Sequence, residues 1–215
     1  MNFKMSIMKK LEAKEIFDSR GTPTISVLCE LESEASGIGM VPSGKSTGSL
    51  EALELRDGDM VRFSGKGVLK AVKNVNVEIA KFLIGKDLNQ EALDEALIKI
   101  DGTKNKSRLG ANAILGVSLA FAHACARDQK INLYEYFGKM AGNEKFKTPQ
   151  PCFNIINGGR HSNSGIDIQE FMIVPTGFNS VSEKINSAKR VVSELESILK
   201  NKNYKTDLGD EGGFA

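Results

Sequence analysis

Two adjacent acidic residues, Asp210 and Glu211, stand among three glycines in the segment GDEGG near the end of the sequence. Glycine lets a backbone approach a ligand closely, so carboxylates in this setting could exchange protons with a bound substrate. An acidic surface turn without a catalytic role would have the same sequence. GDEGG therefore indicates a candidate site only in combination with other polar segments.

A second polar segment, NIINGGRHSNSGIDIQEFMI, begins and ends in short apolar runs that predict strands. Between these runs it contains a Gly-Gly pair, His161 (one of only two histidines), Asp167, Gln169 and Glu170. Loops at strand ends commonly carry the binding groups of α/β proteins. His161 lies in this polar loop, and we take it as the better functional candidate of the two histidines.

Residues 39–46, GMVPSGKS, match the pattern G-x-x-x-x-G-K-[ST] of the phosphate-binding loop of nucleotide hydrolases. That loop requires a buried strand before its first glycine and a helix that starts at its Lys-Ser pair. Here the preceding residues, LESEASGI, are polar, and the following TGSLEALELRDGD leaves barely two helical turns. A second acidic site for magnesium is also missing, so we keep nucleotide hydrolysis only as a remote alternative.

The composition is that of an ordinary globular protein, with 215 residues, 40% hydrophobic and 26% charged. A net charge of +2 gives no reason to expect nucleic acid or an anionic membrane as a partner. No apolar run has the length of a membrane span, and the N-terminus lacks the apolar core of a signal peptide. Three dispersed cysteines favour reduced, buried thiols, and we expect a cytoplasmic protein.

Periodicity along the chain predicts the order of the secondary structure. A Gly- and Lys-rich stretch near residue 145 is the best candidate for a domain boundary. Before it we predict two strands at 24–31 and 38–41 and helices at 68–84, 89–100, 110–126 and 133–138. After it we predict strands at 152–157 and 169–175 and a helix at 181–203. This second part does not by itself complete a sheet architecture.

Taken together, the motifs resemble the N-terminal half of enolase, the 2-phosphoglycerate dehydratase of glycolysis. The resemblance covers essentially the whole chain and rests on eight segments in the order and spacing of the family. They are DSRGTPT, VPSGKSTG, EALELRDGD, GKGVLKAVKNVN, DGTKNKSRLGANAILGVSLA, NIINGGRH, QEFMIVPTG and GDEGGFA.

The resemblance implies an α/β protein with two domains: an N-terminal α+β domain at residues 1–145 and, at 146–215, the opening strands and helix of an incomplete α/β (TIM-like) barrel. It also implies a carbon–oxygen lyase that converts 2-phosphoglycerate into phosphoenolpyruvate with two magnesium ions. The complete enzyme is expected to be a homodimer, with DSRGTPT near the contact. The barrel's later strand–helix units would be missing from this chain.

Roles for individual residues also come from the resemblance. Glu211 matches the general acid, which must hold a proton near neutral pH to release hydroxide. Glu170 matches its partner carboxylate, and Gln169 matches an amide that contacts the substrate. His161 matches the histidine of a closing loop, and Ser46 matches a ligand of the second magnesium ion.

Two questions stay open at the level of sequence. Lys45 stands where family members usually carry Ala, and it could either attract the substrate phosphate or repel magnesium. The chain also ends before the family's base and its main metal ligands, so we expect no dehydratase activity from these residues alone. A half-length paralogue that acts by binding is the alternative, and the length of the source reading frame would distinguish it.

Overall fold

An antiparallel sheet organises the first of two structural units, Met1–Phe146 and Lys147–Ala215, in the computed structural model of the chain. The structure describes residues 4–44, 47–143, 145–159, 165–209 and 211–215. Strands β1 (Ser6–Phe17), β2 (Pro23–Leu31), β3 (Ser36–Met40) and β4 (Asp87–Leu88) form the sheet in the order β3-β2-β1-β4. The strands predicted at 24–31 and 38–41 are thereby confirmed as β2 and β3.

Strand β1 was not predicted, although it is the longest strand in the described part of the chain. Its charged residues Lys10, Glu12 and Lys14 face away from the core, whereas Leu11 and Ala13 are buried. A register shift lies between Met8 and Lys10 and interrupts the alternation of buried and exposed residues. Sequence periodicity therefore conceals this strand, because a bulge changes the face to which the following side chains point.

The helices of the first unit agree with the predicted order. They are α1 (Leu69–Lys73), a π-helical turn (Asn74–Ile79), α2 (Ala80–Leu83), α3 (Gln90–Asp101), α4 (Ala111–Asp128) and α5 (Leu133–Met140). The predicted cap Asn89 begins α3, and its side chain accepts a hydrogen bond of 2.8 Å from the backbone N–H of Ala92. No helix in the described part of the chain is both long and apolar enough to cross a membrane.

Helix α4 packs across β2 and β3 and buries eleven of its 18 residues, as expected for a core helix. Glycines in β3 allow this close approach. A Cβ atom on Gly37 would lie 2.2 Å from the carbonyl oxygen of Ala120, and one on Gly39 would lie 2.3 Å from that of Gly116. The Gly39 that begins the GMVPSGKS pattern is therefore required for packing between strand and helix.

The surroundings of GMVPSGKS do not match a nucleotide-binding loop. Strand β3 lies at the edge of an antiparallel sheet, and described residues 47–62 contain no helix. A phosphate-binding loop needs a buried parallel strand on one side and a helix N-terminus on the other. The nucleotide-hydrolase alternative is therefore wrong.

Two of the three cysteines, Cys29 and Cys125, are buried as predicted, whereas Cys152 is exposed. Burial raises the pKa of the Cys29 thiol to about 12 and that of Cys125 to about 11. Both buried thiols are therefore protonated at neutral pH and behave as small apolar side chains.

Helix α1 obtains its N-terminal cap from distant carboxylates, because its own N-cap residue, Val68, has no side-chain acceptor. Glu15 on β1 accepts the backbone N–H of Val68 at 2.8 Å. Asp57 accepts those of Leu69 at 3.0 Å and Lys70 at 2.8 Å. The guanidinium of Arg62 donates to both carboxylates and so joins them into one cluster.

Two asparagines bond backbone groups on a side of the chain that no strand among the described residues covers. Asn112, at the start of α4, accepts from Leu55 N–H and donates to the Leu55 carbonyl, both at 3.1 Å. Asn76, in the π-helical turn, makes the same pair of bonds to Ala13 at 2.6 and 3.0 Å. Each amide takes the place of a neighbouring strand, because its donor and acceptor match those of a peptide group.

The second unit contains strands β5 (Phe153–Asn157) and β6 (Glu170–Ile173) and helix α6 (Val181–Asn201). Ser180 and Glu183 form a capping box at the start of α6. Within α6 only Ala188 is buried, and its apolar residues Ile185, Val191 and Ile198 are exposed. The predicted order of strand, strand and helix is confirmed, with the helix largely uncovered.

The two asparagine clamps differ in burial, and this difference predicts different effects of mutation. Asn112 is 2% exposed, whereas Asn76 is exposed. Replacing Asn112 with Ala removes both partners of the half-buried Leu55 and leaves a space at a fully buried position, so the free energy of unfolding falls by about 2–4 kcal/mol. Asn76→Ala is the matched control, since its side chain is exposed and its removal leaves no internal space, with an expected cost of about 1 kcal/mol or less. Urea unfolding measures both, and equal effects would contradict the assignment.

The cap of α1 predicts a dependence of stability on acid. The hydrogen bond from Arg62 is the main cause that lowers the pKa of Glu15 below its ordinary value of 4.5. Because the folded-state pKa is the lower one, this stabilisation is present above about pH 4.5 and is lost as the pH falls through the folded pKa. We expect Glu15→Gln to lower stability at pH 7 and to flatten the loss between pH 5 and pH 3.

The control for that experiment is Glu12→Gln, on the same strand. Glu12 pairs with Lys10 at 2.7 Å, but both side chains are solvent-exposed, so the pair contributes little. Urea unfolding at a series of pH values distinguishes the two variants. An unchanged pH profile in Glu15→Gln would contradict the role of Glu15.

Candidate active site

Strand β5 is the centre of the candidate site and has neighbours on both sides. On one side it pairs antiparallel with β6. On the other side the C-terminal segment runs parallel to it: Phe214 N–H donates to the Ile155 carbonyl at 3.0 Å, and Asn157 N–H donates to the Phe214 carbonyl at 2.8 Å. The segments QEFM and GDEGG are therefore held by opposite edges of the same strand.

The first edge positions Gln169 and Glu170. Glu170 begins β6 and lies opposite Asn157 in the register. The backbone N–H of Gly158 donates to the Gln169 carbonyl at 2.8 Å. The side chain of Glu170 is half-buried and that of Gln169 is exposed. The structure thus holds the backbone of Gln169 and Glu170 against the end of β5.

The Gly-Gly pair after β5 is required by this close contact. A Cβ atom on Gly158 would lie 2.2 Å from the carbonyl oxygen of Ile168, which is closer than any side chain can come. Gly159 has a φ of +53°, and its N–H donates to the Ile166 carbonyl at 2.8 Å. The glycines therefore bring the segment before β6 directly against the end of β5.

The second edge positions Glu211. A hairpin formed by the last residues, with Gly209 N–H bonded to the Gly213 carbonyl at 2.8 Å, carries Glu211 at its turn. The amide Nδ2 of Asn154 on β5 lies 3.4 Å from Glu211 Oε2 and donates to it. Glu211 is exposed and so accessible to a small molecule. An Asn donor contacts the very carboxylate that the resemblance assigns as the acid.

Asn157 secures the base of that hairpin. It is fully buried, and its Oδ1 accepts the backbone N–H of Gly213 at 2.8 Å. A Cβ atom at Gly213 would lie 2.6 Å from this oxygen, so glycine is needed here. Asn157 therefore fixes the distance between β5 and the turn that carries Glu211.

The structure joins three of the five predicted site residues to one strand. Gln169 and Glu170 are held at one edge of β5, and Glu211 contacts Asn154 at the other. His161 and Ser46 lie outside the described residues, so their assignments remain predictions. The same applies to Lys45, whose effect on the loop remains open.

Sequence reasoning missed Asn154 and Asn157, the residues that hold the site together. It interpreted CFNIIN only as an apolar strand. Asparagine is depleted in strands, so two of them within five strand residues were a usable signal that their amides have a specific role.

The described residues do not provide the donor set of a magnesium site. Across the described ranges, no three His, Cys, Asp or Glu side chains lie close enough together to hold a metal ion. Magnesium prefers several oxygen ligands in octahedral geometry, which Glu170 and Glu211 alone do not supply.

The first unit is an α+β domain, and in the second an antiparallel strand pair precedes a helix and a parallel strand segment. Two family models match the chain. The model of the N-terminal domain of enolase matches residues 8–137, and that of the C-terminal TIM barrel domain of enolase matches residues 145–215. The chain belongs to the enolase family. Its matched barrel segment ends at residue 215, the last residue of this sequence.

Proposed function

We propose that this chain serves enolase chemistry, the magnesium-dependent dehydration of 2-phospho-D-glycerate to phosphoenolpyruvate in glycolysis. The observation that carries the proposal is the attachment of Glu170 and Glu211 to opposite edges of β5. This arrangement supports two carboxylates acting on one small substrate, within a segment that matches the enolase barrel.

In this proposal, Glu211 is the general acid that gives its proton to the hydroxide leaving C3 of the substrate. Asn154 Nδ2 is only a donor, so the oxygen that it contacts, Oε2, must act as an acceptor. This contact favours the proton of a protonated Glu211 on the other oxygen, Oε1. Glu170 is the partner carboxylate, and Gln169 contacts the substrate.

The remaining parts of the proposal rest on the family alone. His161 would belong to a loop that contacts the substrate, and Ser46 would bind the second of two magnesium ions, which would supply positive charge to the site. We further propose domain limits of 1–145 and 146–215, a cytoplasmic location, and a homodimer for the complete enzyme.

A split-enzyme assay tests the proposal. Residues 1–215 alone contain no counterpart of the family's base, so we expect no phosphoenolpyruvate formation by absorbance, with or without magnesium. Addition of a second polypeptide that carries the barrel of an enolase from just after its GDEGG segment should restore turnover. In this pair, Glu211→Gln should reduce the rate by about 100-fold or more, because a general acid contributes that much.

Glu196→Gln is the control, because Glu196 lies on α6 and pairs with Lys200 at 2.5 Å, away from β5. It should retain the restored rate. Turnover by residues 1–215 alone would refute the expectation of inactivity. A folded pair without turnover, or full activity in Glu211→Gln, would refute the proposed function.

A further inference from the structure

The loop at residues 44–53 is joined at its base by side chains rather than by a strand ladder. Ser43 precedes the loop and Glu54 follows it, and Ser43 Oγ donates to Glu54 Oε2 at 3.1 Å. Arg56 connects the same two residues, because its Nη2 donates to Ser43 Oγ at 2.6 Å and to Glu54 Oε1 at 2.7 Å. We call Ser43, Glu54 and Arg56 the loop clip.

The loop clip is itself attached to the body of the first unit. Arg56 Nη1 donates to the carbonyl oxygens of Pro23 at 2.5 Å and Lys66 at 2.6 Å. Arg20 Nη2 donates to the Ser43 carbonyl at 2.5 Å and pairs with Asp18 at 3.2 Å. Both terminal nitrogens of Arg56 thus have two acceptors each, an arrangement that only the planar guanidinium can make.

Backbone bonds secure the chain on either side of the loop clip. Val41 N–H donates to the Ile25 carbonyl of β2 at 3.1 Å. Leu53 exchanges two bonds of 2.8 Å with the segment before and at the start of α4, through Asn105 and Ala111. The two ends of the loop therefore start from fixed points on different elements, and the loop clip joins them.

The partial burial of the loop clip makes its ion pair more than a surface contact. The side chains of Arg56 and Glu54 are 22% and 31% exposed. An ion pair that is shielded and hydrogen-bonded in two places resists screening better than a freely exposed one. Arg62 provides a contrast, since its carboxylate partners cap α1 rather than flank a loop.

We propose that Ser43, Glu54 and Arg56 are positioning residues, which restrict the position of the described loop residues 47–53. Joining two points of a chain reduces the conformations open to the residues between them, and the glycines at positions 44 and 48 add backbone freedom that such a contact counteracts. The consequence for catalysis rests on the proposed function, in which this loop carries Ser46. The restriction itself holds without substrate or metal.

Spin-label distances test the proposal on the full 215-residue chain. Nitroxide labels are attached at Thr47→Cys in the loop and at Glu95→Cys on α3, both exposed sites, in a Cys152→Ser background that removes the exposed thiol. We expect Arg56→Lys and Ser43→Ala each to widen the distance distribution about twofold, because Ser43 is no longer held to Glu54 and the segment between the fixed residues Val41 and Leu53 is less restricted. Arg56→Lys keeps the positive charge but removes the two guanidinium nitrogens that each donate to two acceptors.

The matched control is Arg62→Lys. It removes the guanidinium that pairs with Glu15 and Asp57 but leaves the loop clip intact. Its distribution should keep the original width even where its unfolding midpoint falls as far as that of Arg56→Lys. Unchanged widths in Ser43→Ala and Arg56→Lys, or equal widening in Arg62→Lys, would overturn the proposal. If Arg56→Lys does not fold, the smaller change Ser43→Ala decides.

This measurement is separate from the split-enzyme assay. A widened distribution together with absent turnover would uphold the loop clip and refute the proposed enolase activity. An unchanged distribution together with restored turnover would refute the loop clip and uphold the proposed enolase activity.

Discussion

Backbone groups that leave regular helix or sheet still need hydrogen-bond partners, and this requirement shapes both units of the protein. Leu55 finds its partners in the amide of Asn112, and the N–H of Val68 finds one in the carboxylate of Glu15. In the second unit, Asn157 does the same for Gly213. Side chains anchored in helices and strands thus replace missing ladders, and the segments with functional motifs are held in this way.

The same constraint explains why short motifs of this chain combine polar residues with glycine. The glycine allows the close approach, and the polar side chain satisfies the backbone that approaches. Gly213 with Asn157 is one such pair, since a side chain at Gly213 would collide with the oxygen that receives its N–H. Residues of this kind look catalytic in sequence, yet their role is to hold the backbone that presents catalytic groups.

The elements with one regular face could be predicted from sequence. Helix α3, with Asn89 as its cap, follows from apolar periodicity and a local hydrogen bond. Strand β1 could not be predicted, because the bulge between Met8 and Lys10 changes its periodicity and its exposed face is highly charged. Sequence patterns predict structure that depends on residues close in sequence. A bulge depends on the pairing with the partner strand, so such a pattern does not predict it.

In the candidate site, too, some residues could be identified from sequence and their contacts could not. Glu170 and Glu211 were identified through the family resemblance, whereas no spacing rule indicates that β5 connects them. The contact of Asn154 with Glu211 spans 57 residues of sequence, so it becomes visible only in the folded chain. GMVPSGKS matches a phosphate-binding pattern completely, yet it does not form a phosphate-binding loop. It follows an antiparallel edge strand, and described residues 47–62 after it contain no helix.

Native-state hydrogen exchange tests most directly whether side chains hold the irregular backbone. The informative amides are those of Leu55, Val68 and Gly213, whose acceptors are side-chain oxygens, compared with Val27, which lies in β2 between Ala13 of β1 and Gly39 of β3. We predict that Leu55 and Val68 exchange nearly as slowly as Val27, and that Gly213 exchanges as slowly as Phe214 beside it. Exchange of these amides at the rate of an unstructured loop would contradict the account.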